Sequence, residues 1–96
     1  MTTLTLTSPH ERPLRSLVES ALKNEQRLLQ AGIGRTEQRL REFETKYALS
    51  STEFLHRYEN DELQETLDFV EWIGEYRLLG RMREKVDILQ EIHFEN

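Results

Sequence analysis

Cysteine is absent from this 96-residue chain, which removes disulfides, thiolate nucleophiles and cysteine-based metal sites together and leaves the redox compartment open. Proline occurs twice and glycine four times, too few for a chain built from short strands and turns. No run approaches the roughly 18 apolar residues of a membrane span, and MTTLTLTSPHERP at the N-terminus has neither the basic nor the apolar stretch of a secretory signal. The expectation is a soluble protein of the cytoplasm. What is present is charge, 32% of residues against 36% hydrophobic, the composition of solvated helices. A chain of this length forms one domain, 1–96, and buries a smaller share of its surface than a larger one, so a partner subunit is expected.

The net charge of −5 is unevenly spread. Residues 1–48 carry eight Lys or Arg against six acids, and residues 49–96 carry five against twelve. Nucleic-acid binding needs a basic stripe to neutralise phosphates, so this balance disfavours it and favours a basic protein partner.

Residues 1–12 read as an extended tail in which Thr3-Leu4-Thr5-Leu6-Thr7 alternates with period two. Ser8, Pro9 and Pro13 punctuate it, and Pro13 suits a first helical turn because its missing N–H has no partner there. Leu14, Val18, Ala21, Leu28/Leu29, Leu40, Phe43 and Tyr47 then recur at threes and fours, predicting a long helix over 13–48. At 1.5 Å per residue such a helix is about 54 Å long and must lie along something of similar length. Gly32 and Gly34 are its weak point, either a tolerated soft spot or, for Gly32, a place where another backbone approaches closely.

The stretch ALSSTEF ends that helix and starts another. Ser50 followed three residues later by Glu53 is a capping box, and Leu49 and Phe54 have the spacing of a hydrophobic staple. A short helix over 51–59 follows, with Phe54, Leu55 and Tyr58 on one face. Asp61, with Gln64 three residues on, reads as a further cap, and Leu63, Leu67, Val70, Ile73, Leu78/Leu79, Met82, Val86 and Leu89 predict a second long helix over 62–92. The fold class is therefore all-α, a hairpin of two long antiparallel helices joined by a short helix. Leu17, Leu22, Phe69, Trp72 and Tyr76 exceed what one seam needs, so the hairpin is expected to form a homodimer in a four-helix arrangement or to wrap a partner. The hairpin also brings Leu4 and Leu6 near Ile92-His93-Phe94, which alternates likewise, so the tails are expected to pair with each other or with a partner's sheet edge.

Residues 59–75 hold seven acids and no base. Acids in a first helical turn favour the positive end of the helix dipole, but Asp68, Glu71 and Glu75 lie further on, where like charges repel. Threaded with Phe69, Trp72 and Tyr76, they form a candidate partner-binding set in which aromatics anchor and acids steer. No catalytic site is read from the chain, since carboxylate pairs are unavoidable with 18 acids among 96 residues. His10, His56 and His93 are too far apart for a metal set, and no cofactor motif occurs. A Ser-initiated turn also opens the recognition helix of a helix-turn-helix, but this one offers only His56 and Arg57 as donors before running into acids, which disfavours direct DNA binding.

The segment from Phe43 to Trp72 carries F-E-x-K-Y, S-[ST]-x-E-F, Y-E-x-x-E-L and D-F-x-E-W in succession. In this pattern the chain, over residues 14–92, resembles a family of small helical prokaryotic antitoxins encoded beside TumE-type toxins. It departs from the family at Gly34, where a charged residue is usual. The resemblance implies a protein that binds and neutralises a cognate toxin acting on RNA. The alternative is a self-assembling helical module, structural or adaptor, with no toxin partner; it does not need Phe69, Trp72 and Tyr76 to stay accessible.

Overall fold

The computed structural model describes residues 3–7 and 13–93, and consists of three helices: α1 (Leu14–Tyr47), α2 (Ser51–Glu59) and α3 (Leu67–Gln90). Two ladders repeating every seven residues explain how the long pair associates. In α1 they are Leu22, Leu29, Thr36, Phe43 and Gln26, Ile33, Leu40, Tyr47; in α3 they are Trp72, Leu79, Val86 and Glu75, Met82, Leu89. A seven-residue repeat is close to two helical turns, so both stripes stay on the shared seam along its length. Leu29, Ile33, Leu40, Phe43, Trp72, Leu79 and Val86 are buried there, and the two helices run antiparallel, Lys46 meeting Asp68 near one end and Gly32 meeting Met82 further along.

Ion pairs flank the seam on both sides. Arg39 reaches Glu71 at 2.7 Å on one flank, and Arg83 reaches Glu37 at 2.8 Å on the other. All four side chains are largely solvated, so each pair contributes at most about 1 kcal/mol. Glu44, seven residues from Glu37, accepts the Ser51 N–H at 2.8 Å, which places the start of α2 on the Glu37 flank. Among the described residues, the Arg39 flank carries no helix beyond the two that form the seam.

α1 stops because Ala48 turns left-handed, with φ 50 and ψ 47, and the Leu49 N–H closes on the Glu44 carbonyl. The left-handed region costs a non-glycine residue roughly 1–2 kcal/mol, and the locked corner holds it there. Ser50 caps α2 as the sequence indicates, its Oγ accepting from Glu53 N–H at 3.1 Å. The reciprocal half of the box is replaced: the Glu53 carboxylate binds Arg57 Nε at 3.1 Å, and Glu44 takes the neighbouring amide.

Two expectations are corrected. Asp61 does not cap a helix over 62–92. It sits in the left-handed region with φ 56, where the Glu62 N–H closes on the Arg57 carbonyl and ends α2. Residues 62–66 instead return the chain to the seam, tied down by the Tyr58 hydroxyl donating to Glu65 at 2.9 Å, and Thr66 caps α3 by accepting from Phe69 N–H at 3.1 Å. The tails are the second correction, as far as pairing with each other goes: among the described residues there is no strand, and Leu4, Leu6 and Ile92 are exposed. Ser8, Pro9, His10 and Phe94 lie outside the described residues.

α1 is continuous through both glycines. A Cβ on Gly32 would stand 2.9 Å from Met82 Sδ, so the close approach is by a side chain rather than a backbone, while a Cβ on Gly34 meets nothing. Gly34→Ala is expected to stabilise the protein by about 0.5–1 kcal/mol in urea denaturation, the helix-propensity difference. Gly32→Ala is expected to gain less or to lose stability, because Met82 must move; equal gains at both positions would contradict the packing described.

Candidate partner-binding surface

The aromatic residues of the corner form one cluster. The Trp72 ring lies parallel to Phe54 at 3.9 Å between centroids and to Phe43 at 5.5 Å, and Tyr47 stacks on it at 5.8 Å. Phe69 meets both Phe54 and Tyr47, at 5.3 and 5.1 Å. The Trp72 indole N–H donates to Ser51 Oγ at 2.9 Å, so the one polar atom of the ring is satisfied inside the cluster. Leu49 packs against the core that contains Phe54, as a staple requires.

This arrangement corrects the expected role of Trp72. Its relative exposure is 0%, and the cover comes from α1 and α2 of the same chain. Phe69 and Tyr76 are half-buried and pack against the same core. Accessibility of Trp72 therefore does not separate an antitoxin from a self-assembling module, since a single chain already encloses it. Asp68 and Glu71 are engaged by Lys46 and Arg39 of α1, so two of the three steering acids also fasten the hairpin. The six residues lie on α3 but face different ways: Trp72 inward, Phe69 and Tyr76 toward the α2 flank, Asp68 and Glu71 toward the Arg39 flank with Glu75.

Sequence reasoning overlooked the residues that do project outward. Leu67 is 76% exposed and Val70 45%, on the first turn of α3 just after the acidic loop that holds Glu62 and Glu65. Counted as part of the 3.6-residue series, they looked like core; on the observed seven-residue ladder they fall off the seam. The signal that finds them is the ladder through Trp72, Leu79 and Val86.

On the Arg39 flank, Gly32, Arg35, Thr36, Glu75, Leu78 and Met82 line an open groove between the long helices. Elsewhere, His56 and His93 are exposed and separate, and no group of three or more His, Cys, Asp or Glu among the described residues has metal-binding geometry.

Lys46 and Tyr47 both donate to Asp68 Oδ2, at 2.6 and 2.5 Å. The Lys46 hydrogen bond, and then that from Tyr47, hold the Asp68 carboxyl below its ordinary value of 3.8. The same carboxylate raises Lys46 above 10.5 and Tyr47 above 10.0, chiefly through those bonds. Asp68 therefore contributes stability above pH 3.8 that is lost as pH falls through its depressed value. Lys46 and Tyr47 contribute below pH 10.5 and 10.0, and lose that contribution as pH rises through their raised values.

Comparison with protein-family models, with curated proteins and with solved structures gives no match to this chain.

Ser51→Ala is expected to destabilise the protein by about 1–3 kcal/mol, because it leaves the buried indole N–H without an acceptor. Chemical denaturation followed by the single tryptophan measures this, and acrylamide should quench that fluorescence poorly in the native protein. In an alkaline titration read by phenolate absorbance, Asp68→Asn should bring one tyrosine transition to lower pH. An unshifted profile would show that the Tyr47–Asp68 bond does not hold the phenol in its protonated form.

Proposed function

We propose that this chain is an antitoxin-type binding protein that neutralises a basic, RNA-acting toxin through the acidic loop before α3 and the outward face of the first turns of α3. The observation that carries the reading is the exposure of Leu67 and Val70 beside Glu62, Glu65 and Glu71, on a chain segment that holds seven acids and no base over 59–75. Apolar side chains at the centre of an acidic patch supply what a basic partner needs: charge to steer it and desolvated contact to hold it. A toxin that acts on RNA presents cations to phosphates, and an acidic helix end that covers those cations blocks the substrate. The antitoxin resemblance of the Phe43–Trp72 segment supports the same reading. In it Phe54, Phe69 and Trp72 have an indirect part, fixing the angle at which the start of α3 is presented.

A second reading, a self-assembling helical module without a toxin, is favoured by the open groove on the Arg39 flank, where Leu78 and Met82 lie beside Arg35 and Glu75 with no helix of the described residues over them. Native mass spectrometry after co-expression with the small reading frames neighbouring its gene separates the two. The antitoxin reading requires a complex with a second polypeptide that arrests growth when made alone; recovery of the chain only with itself, beside harmless neighbours, selects the second reading. In such a complex, Leu67→Lys with Val70→Lys is expected to weaken binding at least about tenfold, equivalent to ~1.4 kcal/mol, with helix content unchanged. Unaltered affinity of that double variant would remove this surface from the interface.

A further inference from the structure

The hairpin is less compact than its mass calls for. Its accessible surface is 7675 Å², against roughly 5,800 Å² for a compact monomer of this size. Its radius of gyration is 19.0 Å, where a globular domain of the same length has about 12–13 Å. The excess surface exceeds the roughly 800 Å² per partner that a standard interface covers. Part of it comes from unequal helix lengths. Eight residues along each helix from the Gly32–Met82 contact the register reaches Asn24 and Gln90, where α3 ends, so residues 14–23 of α1 run past it.

The overhang is not a polar one. Leu14, Ala21 and Leu28 repeat every seven residues, and the adjacent ladder runs Val18, Glu25, Gly32 and Arg39, with Glu25 its charged interruption. This apolar strip therefore leads along the Arg39 flank into the groove, where Leu78 and Met82 of α3 continue it. Leu28 is 55% exposed, and α2 lies on the other flank. Arg35, Arg39 and half-buried Glu75 stand in the groove; Arg39 is taken up by Glu71 and Glu42, whereas Arg35 and Glu75 have no ion pair among the described residues. An isologous interface would supply both Arg35 and Glu75 with a partner, because a two-fold axis brings residue i to residue j and j to i in the same step.

We propose that the groove and the α1 strip leading into it are the interface for a second copy of this chain, with Arg35 of each protomer on Glu75 of the other. The self-complementary charges choose this occupant over a basic or acidic partner, which would satisfy one of the two and oppose the other. The interface is centred on Glu75, Leu78 and the α1 strip, and the proposed toxin surface on Leu67 and Val70; the two meet at Glu71, which Arg39 holds at the edge of the groove.

Sedimentation equilibrium of the full chain tests this. The expected species is a dimer of twice the 11.5 kDa chain mass at micromolar concentration. Leu28→Glu, a substitution at an exposed site off the seam, should raise the dimer dissociation constant at least about a hundredfold without loss of helicity. Arg35→Glu and Glu75→Arg should each raise it about tenfold or more, and the two together should restore it to within about threefold of the original. A monomer at 100 µM concentration (roughly the upper range for weak dimers) would overturn the proposal. So would a Leu28→Glu variant that stays dimeric, which places self-association on another face, or a double charge swap that fails to restore association. If Leu28→Glu unfolds, the charge-swap cycle decides alone.

Discussion

Three helices are tied together through one side chain, the indole of Trp72. Its two faces and edges are taken up by Phe43 and Tyr47 from α1 and Phe54 from α2, and its N–H is held by Ser51 at the first position of α2. A two-helix hairpin has only one seam and little interior. Burying a ring of this size at the corner, with its polar atom satisfied, gives the short helix a reason to fold back rather than trail into solvent. The left-handed Ala48, the amide of Ser51 on Glu44 and the extended return over 62–66 are consequences of bringing α2 to that ring.

The architecture was legible because its signals are local. Apolar residues at threes and fours, a Ser cap at Ser50 and an apolar face on residues 51–59 each depend on neighbours a few positions away. What was misread depended on geometry at a distance. Asp61-x-x-Gln64 and Thr66-x-x-Phe69 are both acceptable helix starts, and the choice falls on Thr66 because the chain must first leave α2 and cross back to the seam. Trp72 shows the same limit: an aromatic among acids reads as an exposed anchor, and only the position of Ser51 and Phe54 reveals it as interior. The outward residues Leu67 and Val70 were hidden by an averaged helical period that the seven-residue repeat replaces.

The molecule divides its tasks by flank and by end. One flank is closed by α2, the other is left open as a groove with its own pair of opposite charges. The corner end presents acids and two exposed aliphatic residues, and the far end presents an apolar overhang. Under the two proposals above, a protein that bound both a toxin and a copy of itself would need surfaces that do not compete. Leu67 and Val70 at the corner end and Leu28 toward the far end are far enough apart along the hairpin to serve that need.

The corner also orders events in time. Tyr47 and Asp68 are only 21 residues apart in the chain, whereas Asn24 and Gln90 at the far end of the register are joined through the whole hairpin. Closing the short loop first is entropically cheapest, and each contact then shortens the loop left for the next. On loop-closure entropy alone, the seam is expected to close from its aromatic end, with the overhang the last stretch to find cover. The same asymmetry predicts fraying from the aliphatic end while the indole stays enclosed, with the two ends losing protection from hydrogen exchange at different free energies.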